Sequence, residues 1–133
     1  MRYLLDTDFC INTLRTSRIS LIPDTNAIFR GDVVLCSVVV AELLVGALKS
    51  RRQADTLQAV RNFTSMFASL PFNDACAEQY ARIRALLEKS GQIIGPNDLM
   101  IAATALANDC ALVTHNVSEF GRIQGLQIEN WQF

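Results

Sequence analysis

The stretch of sequence that decides the fold is residues 33–48, VVLCSVVVAELLVGAL. It opens with an apolar, β-branched run, Val33–Cys36, without polar alternation, which is typical of a strand covered on both faces. The remainder predicts a helix over Val38–Lys49, with Ser37 as its N-cap. The stretch is shorter than the roughly 18 apolar residues that a membrane span requires, and Glu42 interrupts it. It therefore predicts a buried strand followed by a buried helix.

Segments of strand and helix length alternate along the rest of the chain. The predicted strands are Arg2–Leu5, Ala111–Thr114 and Leu126–Trp131, with a brief extended piece at residues 70–72; the predicted helices are Phe9–Arg15 after an Asp8 cap, Arg52–Ala68, a helix from an Asn73 or Asp74 cap to Gly91, and Leu99–Ala107. Residues 17–30, broken by Pro23, predict a short helix or an irregular connection. Alternating strands and helices indicate a parallel sheet with helices on both faces. We predict one domain over residues 1–133, of class α/β, with three α/β/α layers and a central parallel sheet of four to five strands.

The composition excludes several classes of protein. Half of the residues are apolar and 19% are charged, so a sizeable core can form in one domain and disorder is excluded. The apolar opening of the chain is too short for a signal peptide, because a carboxylate follows at Asp6. The absence of any C-x-x-C pair predicts buried, reduced thiols for the four cysteines, Cys10, Cys36, Cys76 and Cys110. We predict a soluble, cytoplasmic protein with no membrane contact.

Acidic side chains mark the carboxyl ends of the predicted strands, where the functional groups of such sheets gather. Asp6 ends the first strand, and for this residue alone a structural and a functional interpretation are equally good. Asp8 fits a helix cap. Glu42 is more informative, because apolar residues surround it on its helix and an isolated carboxylate there is costly to desolvate. A function for Glu42 is favoured over two alternatives, an exposed stripe shared with Lys49 and a buried salt bridge to an arginine.

Two further carboxylates belong to the same predicted edge of the sheet. Asp98 follows a Gly-Pro-Asn turn at the start of a buried helix, where an acid also stabilises the helix N-terminus by roughly 0.3–1 kcal/mol. The segment after the next strand supplies a hydroxyl, an amide and a carboxylate in Thr114, Asn116 and Glu119. His115 is the only histidine. Without a second histidine or a G-x-S-x-G turn, neither a histidine metal site nor a serine triad is predicted.

Carboxylates that are brought together repel one another, and a divalent cation reverses that penalty. Ligands that are all oxygen favour Mg²⁺, with Mn²⁺ as a substitute, over Zn²⁺. Mg²⁺ keeps several waters, and one of these can attack a phosphodiester while the cation stabilises the charge of the transition state. The residues therefore predict metal-assisted phosphodiester hydrolysis, although the net charge of −1 gives no overall attraction to nucleic acid.

Four motifs occur in order along the chain, followed by a closing strand at residues 125–131. They are Leu4-Leu5-Asp6-Thr7-Asp8, Ser37 to Leu43 with Gly46 downstream, Ile94 to Ala103, and Val113 to Phe120. Together they resemble the motifs of the PIN-domain ribonucleases, and specifically of the VapC toxins of bacterial toxin–antitoxin pairs. The resemblance covers the whole chain, and the motifs have the family's order and spacing.

The resemblance implies a set of site residues. The family's fourth acid varies in position: Asn116 stands where many members have an aspartate, which implies Glu119 as the fourth carboxylate and leaves open whether Asn116 fills that place. Thr114 resembles the hydroxyl residue near the metal. Asp8, where the family commonly has asparagine, either tightens the metal site or only caps its helix. The implied catalytic residues are Asp6, Glu42, Asp98 and Glu119, with Asp6 and Asp98 as the metal ligands.

The resemblance also implies a substrate and partners. We expect an Mg²⁺-dependent endoribonuclease that cuts a structured RNA, such as a loop of tRNA or rRNA. We further expect a homodimer, and an antitoxin protein whose C-terminal segment occupies the groove and blocks the acidic site.

Two other functions stay open from the residues. A phosphatase of the haloacid dehalogenase type would use Asp6 as nucleophile and Asp8 as acid/base, but Lys49 and Lys89 are poor candidates for the lysine that it needs. A non-catalytic binding module would use the acidic groove to receive a basic peptide.

Overall fold

The computed structural model of the protein describes residues 1–131. Its strands are β1 (Arg2–Leu5), β2 (Val33–Cys36), β3 (Ser69–Leu70), β4 (Cys110–Val113) and β5 (Ile128–Glu129). Its helices are α1 (Thr7–Thr16), α2 (Asn26–Phe29), α3 (Ser37–Leu48), α4 (Gln53–Thr64), α5 (Asp74–Lys89), α6 (Pro96–Ala107) and α7 (Val117–Phe120), with a 3₁₀ turn at Ile19–Leu21. The turn and the short α2 form the irregular connection that the sequence predicted.

The five strands form one parallel sheet in the order β3-β2-β1-β4-β5. In the central pair, Leu5 of β1 lies opposite Val113 of β4. All residues of β2 and β4 are buried, because helices cover both faces of a parallel sheet. The predicted α/β class, the three layers and the parallel sheet of four to five strands are confirmed.

The order of the strands fixes where a site can form. The chain builds the sheet outward from β1 through β2 to β3, and then returns to place β4 on the other side of β1. The segments that follow β1 and β4 therefore run to opposite sides of the sheet, and a crevice opens between them, outside the carboxyl ends of these two strands. Asp6 follows β1 and Thr114 follows β4, so both residues lie at this crevice.

The interior is apolar and the thiols belong to it. In α6, Leu99 and residues 101–105 are buried, which confirms that this apolar helix is enclosed by its neighbours. All four cysteines are buried and free, as predicted. Burial raises the pKa of the Cys36 thiol to about 11, so it stays protonated and unreactive. No helix within residues 1–131 has the length and apolar character needed to cross a membrane.

Three predictions about helix starts are wrong. The cap of α1 is Asp6, whereas Asp8 lies exposed in the first turn, where it faces the helix dipole but makes no cap. Cys36 precedes α3, so Ser37 is its first residue and not its cap. Helix α6 begins at Pro96 and not at Leu99. Proline fits the first turn because the backbone N–H that it lacks has no acceptor within the helix there. Asp98 therefore lies inside the first turn.

Candidate active site

Asp6 is the most enclosed carboxylate of the crevice, with 5% of its surface exposed. Its Oδ1 accepts a hydrogen bond from the Phe9 backbone N–H at 2.8 Å, which caps α1. The Thr114 hydroxyl donates to the same carboxylate. Burial raises the pKa of Asp6, and the hydrogen bonds from Thr114 and Phe9 partly offset that rise. Asp6 thus has a structural role as a cap and also presents a carboxylate at the crevice.

The Asp98 and Glu119 side chains are neighbours in the crevice, and both the charge of Glu119 and its contact with Asp98 raise the pKa of Asp98. Partial burial is the largest cause that raises the pKa of Asp98 to about 7, followed by the negative charge of Glu119 and then by Glu42 and Asp6. The charges of all three other acids therefore act on Asp98.

Glu42 is half-buried and reaches the site from α3. Its Oε1 accepts a hydrogen bond from the Thr7 hydroxyl at 2.5 Å, and its Oε2 faces the Asn97 side-chain N–H at 3.4 Å. None of the ion pairs within residues 1–131 includes Glu42, so the alternative of a buried salt bridge to an arginine is wrong. The Glu42 side chain is therefore held by two neutral donors, Thr7, which follows Asp6 in sequence, and Asn97, which precedes Asp98.

The segment after β4 organises the fourth carboxylate. The Asn116 side-chain amide donates to Glu119 at 2.9 Å, and the Asn116 backbone N–H donates to the Thr114 hydroxyl at 3.0 Å. Asn116 therefore orients Glu119. The His115 ring is stacked on Phe9, and its Nδ1 lies 2.6 Å from the side-chain oxygen of Asn130.

The structure thus brings the four predicted acids to one crevice, with Thr114 and Asn116 between them, and leaves Asp8 exposed. It does not form a ready metal cage: within residues 1–131 no group of three His, Cys, Asp or Glu side chains has an arrangement that could hold a metal ion. The carboxylates nevertheless act on one another, since the charges of Glu119, Glu42 and Asp6 all raise the pKa of Asp98.

Two polar side chains of the site, Thr7 and Asn97, were not predicted from the sequence. Each is adjacent to a predicted acid, Thr7 after Asp6 and Asn97 before Asp98. The position of Thr7 and Asn97 at the carboxyl edge of the sheet could have indicated that they belong to the site. Their common partner, Glu42, lies on another helix, so sequence spacing could not identify it.

A buried carboxylate at the carboxyl edge of a parallel sheet, with three more acids around it, is typical of metal-dependent phosphodiester hydrolases. Comparison with known proteins gives the family. The PIN domain profile matches residues 3–126. Ribonuclease VapC2 of Rickettsia felis is 35% identical over 132 residues, and tRNA(fMet)-specific endonuclease VapC of Shigella flexneri is 34% identical over 131 residues; both alignments cover 98% of each chain.

Solved structures agree with the sequence relatives. VapBC2 from Rickettsia felis bound to a DNA fragment from its promoter has a chain that matches with a TM-score of 0.91 at 34% identity, covering 99% of this chain and 100% of that one. DNA-bound VapBC from Salmonella typhimurium matches with a TM-score of 0.91 at 32% identity, covering 99% of each chain. The chain belongs to the PIN-domain family and, within it, to the VapC ribonucleases, the toxins of VapBC toxin–antitoxin systems. The predicted family and ribonuclease class are confirmed.

Proposed function

We propose that this ribonuclease is an endonuclease that requires Mg²⁺, with Mn²⁺ as a substitute, and that Asp6, Glu42, Asp98 and Glu119 carry the reaction. The observation that supports this most directly is the pKa of Asp98, which rises to about 7 because the site is partly buried and holds other acids. Such a site is stabilised by a cation or a proton, and at neutral pH it is poised between the two.

The donor chemistry fits Mg²⁺, because the four acids Asp6, Glu42, Asp98 and Glu119 all offer carboxylate oxygens, which are the ligands that Mg²⁺ prefers. The pKa of Asp98 is raised to about 7 by burial and by its acidic neighbours, so we propose that a cation and a proton compete for this carboxylate near neutral pH. Asp6 and Asp98 are the proposed metal ligands. When bound, Mg²⁺ would supply the positive charge that stabilises the negative charge developing on the phosphodiester.

The chain's own residues prepare the site in distinct ways. The cap of α1 and the Thr114 hydroxyl fix the Asp6 carboxylate, so its orientation does not depend on a ligand. Asn116 orients Glu119 in the same manner. At Asp6, the hydrogen bonds from Thr114 and Phe9 lower the pKa against the larger rise that burial causes.

Incubation of the pure protein with total RNA tests the proposal. We expect new 5′ ends in Mg²⁺ or Mn²⁺ and none in EDTA, because the carboxylates alone cannot neutralise a phosphodiester. The variant Glu42→Gln tests the role of the carboxylate, because it keeps the shape of the side chain but removes its charge. It should give no new 5′ ends. Cleavage that persists in EDTA, or that Glu42→Gln retains, contradicts the proposal.

A structured RNA is the proposed substrate, with tRNA first and rRNA second. The support comes from relatives: the Shigella flexneri and Salmonella typhimurium proteins, 34% and 33% identical, are named tRNA(fMet)-specific endonucleases. Mapping of the 5′ ends in the same experiment assigns the RNA, and cuts spread over unstructured messenger RNA would contradict this choice.

We propose that the antitoxin lies in a groove between α1, α3 and α4. The groove has a volume of about 390 Å³ and reaches Glu42; its apolar lining includes Ile11, Leu14, Leu43, Ala47 and Val60. Gly46 is also part of the wall, and a Cβ built on it would meet no atom within 4 Å. Glycine inside a helix costs about 0.5–1 kcal/mol relative to alanine. Because no residue within 1–131 needs the space at Gly46, we propose that the glycine lets a partner approach the backbone of α3 closely.

Gly46→Leu is expected to weaken binding of the cognate antitoxin at least tenfold, because the leucine side chain fills the groove. Gly46→Ala is the control: it should raise the stability of α3 by roughly 0.5–1 kcal/mol and weaken binding less. Calorimetric titration with the antitoxin measures both. Antitoxin affinity that Gly46→Leu leaves unchanged would place the partner elsewhere.

The homodimer stays a prediction. Support comes from the exposed apolar side chains Val45 and Leu48 on α3, with 49% and 55% of their surfaces exposed. The molar mass of the protein in solution, measured without antitoxin, tests it, and a mass of one chain contradicts it.

A further inference from the structure

Glu42 depends on few contacts for its orientation. It lies on α3, where the other side chains facing the core are apolar, and its two carboxylate oxygens are contacted by Thr7 and Asn97. The Thr7 contact is short, at 2.5 Å, and the Asn97 contact is long, at 3.4 Å. Because hydrogen bonds weaken steeply with length, Thr7 is the main constraint on the Glu42 side chain.

The hydroxyl of Thr7 differs from those of other helical threonines in what it contacts. Thr13, Thr16 and Thr104 each donate to the carbonyl one turn earlier in their own helices. Thr7 is the first residue of α1, so no carbonyl of its own helix lies one turn before it. Its hydroxyl instead donates to a carboxylate 35 residues away in sequence.

The backbone of Thr7 belongs to the first turn of α1, which the Asp6 cap stabilises. The bond from the Phe9 N–H to Asp6 fixes the first turn, and Thr7 lies within that turn. The start of α1 therefore sets the positions of two acids at once, Asp6 directly and Glu42 through the Thr7 hydroxyl. A hydroxyl donor also leaves the negative charge of Glu42 in place, whereas a lysine or arginine would neutralise it.

We propose that Thr7 is a positioning residue of this ribonuclease, whose hydroxyl holds the Glu42 carboxylate at the acidic crevice in the orientation that the reaction needs. The inference rests on the proposed function, because it assigns Thr7 a role through Glu42. A carboxylate has about four acceptor directions, so the bond to Thr7 leaves others for a cation or for substrate.

Three variants test this role. Thr7→Val removes the hydroxyl with little change in shape, Thr7→Ser retains a hydroxyl, and Thr16→Val removes an exposed hydroxyl from the same helix as a matched control. The measurements are kcat and KM for RNA cleavage, and the affinity of the RNA-free protein for Mn²⁺ by calorimetry. Should Thr7→Val unfold at the assay temperature, Thr7→Ala also lacks the hydroxyl and has a higher helix propensity.

We expect Thr7→Val to lower kcat by about 10–100-fold with KM for RNA nearly unchanged, as is typical when a hydrogen bond that orients a site residue is lost. Mn²⁺ binding should weaken by up to about tenfold, because a displaced Glu42 no longer adds its negative charge beside the proposed ligand Asp98. Thr7→Ser should recover kcat to within about threefold, and Thr16→Val should behave as wild type. In the Glu42→Gln background, Thr7→Val should not weaken Mn²⁺ binding further, because both changes act through one side chain.

Two results overturn the inference: wild-type kcat and Mn²⁺ affinity in Thr7→Val, or an equal loss in Thr16→Val. Failure of the proposed function gives a different pattern, because in that case Glu42→Gln itself leaves cleavage unaffected. Loss of cleavage in Glu42→Gln together with full activity in Thr7→Val rejects only the positioning role.

Discussion

Asp98→Asn is expected to lower the rate of RNA cleavage at saturating Mg²⁺ by roughly 10³-fold. The substitution keeps the size of the side chain but removes the charge from the centre of the acidic site, where Glu119, Glu42 and Asp6 all act on it. Asparagine offers a single neutral oxygen to a cation, so it is a weaker ligand than a carboxylate. Initial rates on the RNA identified from total RNA measure the loss.

Asp74→Asn is the matched control, because Asp74 lies exposed in the first turn of α5 as Asp98 lies in the first turn of α6. Both substitutions remove a favourable interaction with a helix dipole, but only Asp98→Asn touches the crevice. We expect Asp74→Asn to retain full activity. Comparable activity in Asp98→Asn and in wild type would remove Asp98 from the catalytic site.

The second large effect concerns stability without metal. In EDTA at pH 8, we expect Asp98→Asn to melt about 2–5 °C above wild type, because the substitution removes repulsion among the acids. Solvent reaches the half-buried Asp98 and screens this repulsion, which keeps the expected shift small. The dipole contribution that the substitution also removes is measured separately by Asp74→Asn, for which we expect a slightly lower melting temperature.

The sign of the pH dependence follows from the raised pKa of Asp98. Between its ordinary value of 3.8 and about 7, the folded protein binds a proton that the unfolded chain has released. The free energy of unfolding of the metal-free protein therefore falls as pH rises through this window, and the full penalty is present above about pH 7.

The advantage of Asp98→Asn should thus be widest at pH 8 and shrink as the pH falls toward 4. Thermal melts in EDTA across this range, with wild type, Asp98→Asn and Asp74→Asn side by side, measure it. An equal or lower melting temperature for Asp98→Asn at pH 8 would falsify the clustering of the four acids. A difference that is independent of pH would show that its cause is not the carboxyl group.

Membership in the PIN-domain family and the structure together bear on the two alternative functions. Asp8 is exposed and makes no cap, so it is poorly placed as the acid/base of a phosphatase that uses Asp6 as nucleophile. Asp6 is buried and bonded to Phe9 and Thr114, which favours a fixed ligand over a mobile nucleophile. The non-catalytic binding module makes one distinct prediction, which is that Asp98→Asn and Glu42→Gln change nothing in RNA processing.

The sequence predicted most of the architecture, because the relevant signals are local. The apolar runs at Val33–Cys36 and Ala111–Thr114 predicted strands, which the structure has at Val33–Cys36 and Cys110–Val113, and their alternation with helices indicated a parallel sheet. Helix starts were less predictable, as the Asp6 cap demonstrates. Asp6 and Asp8 are equally good caps by residue type, and the choice depends on where β1 ends, which pairing with β4 decides.

The sequence by itself predicted the four acids that we propose for the site, since carboxylates such as Glu42 in an apolar helix and Asp6 after a buried strand are costly to bury. Only the tertiary structure decided how these acids interact. The approach of Glu119 to Asp98, and the hydrogen bond from Thr7 to Glu42, bring together residues of separate elements, and both follow from helix packing that no local pattern encodes. Charge repulsion depends steeply on distance, so the pKa of a carboxylate is a property of the folded chain.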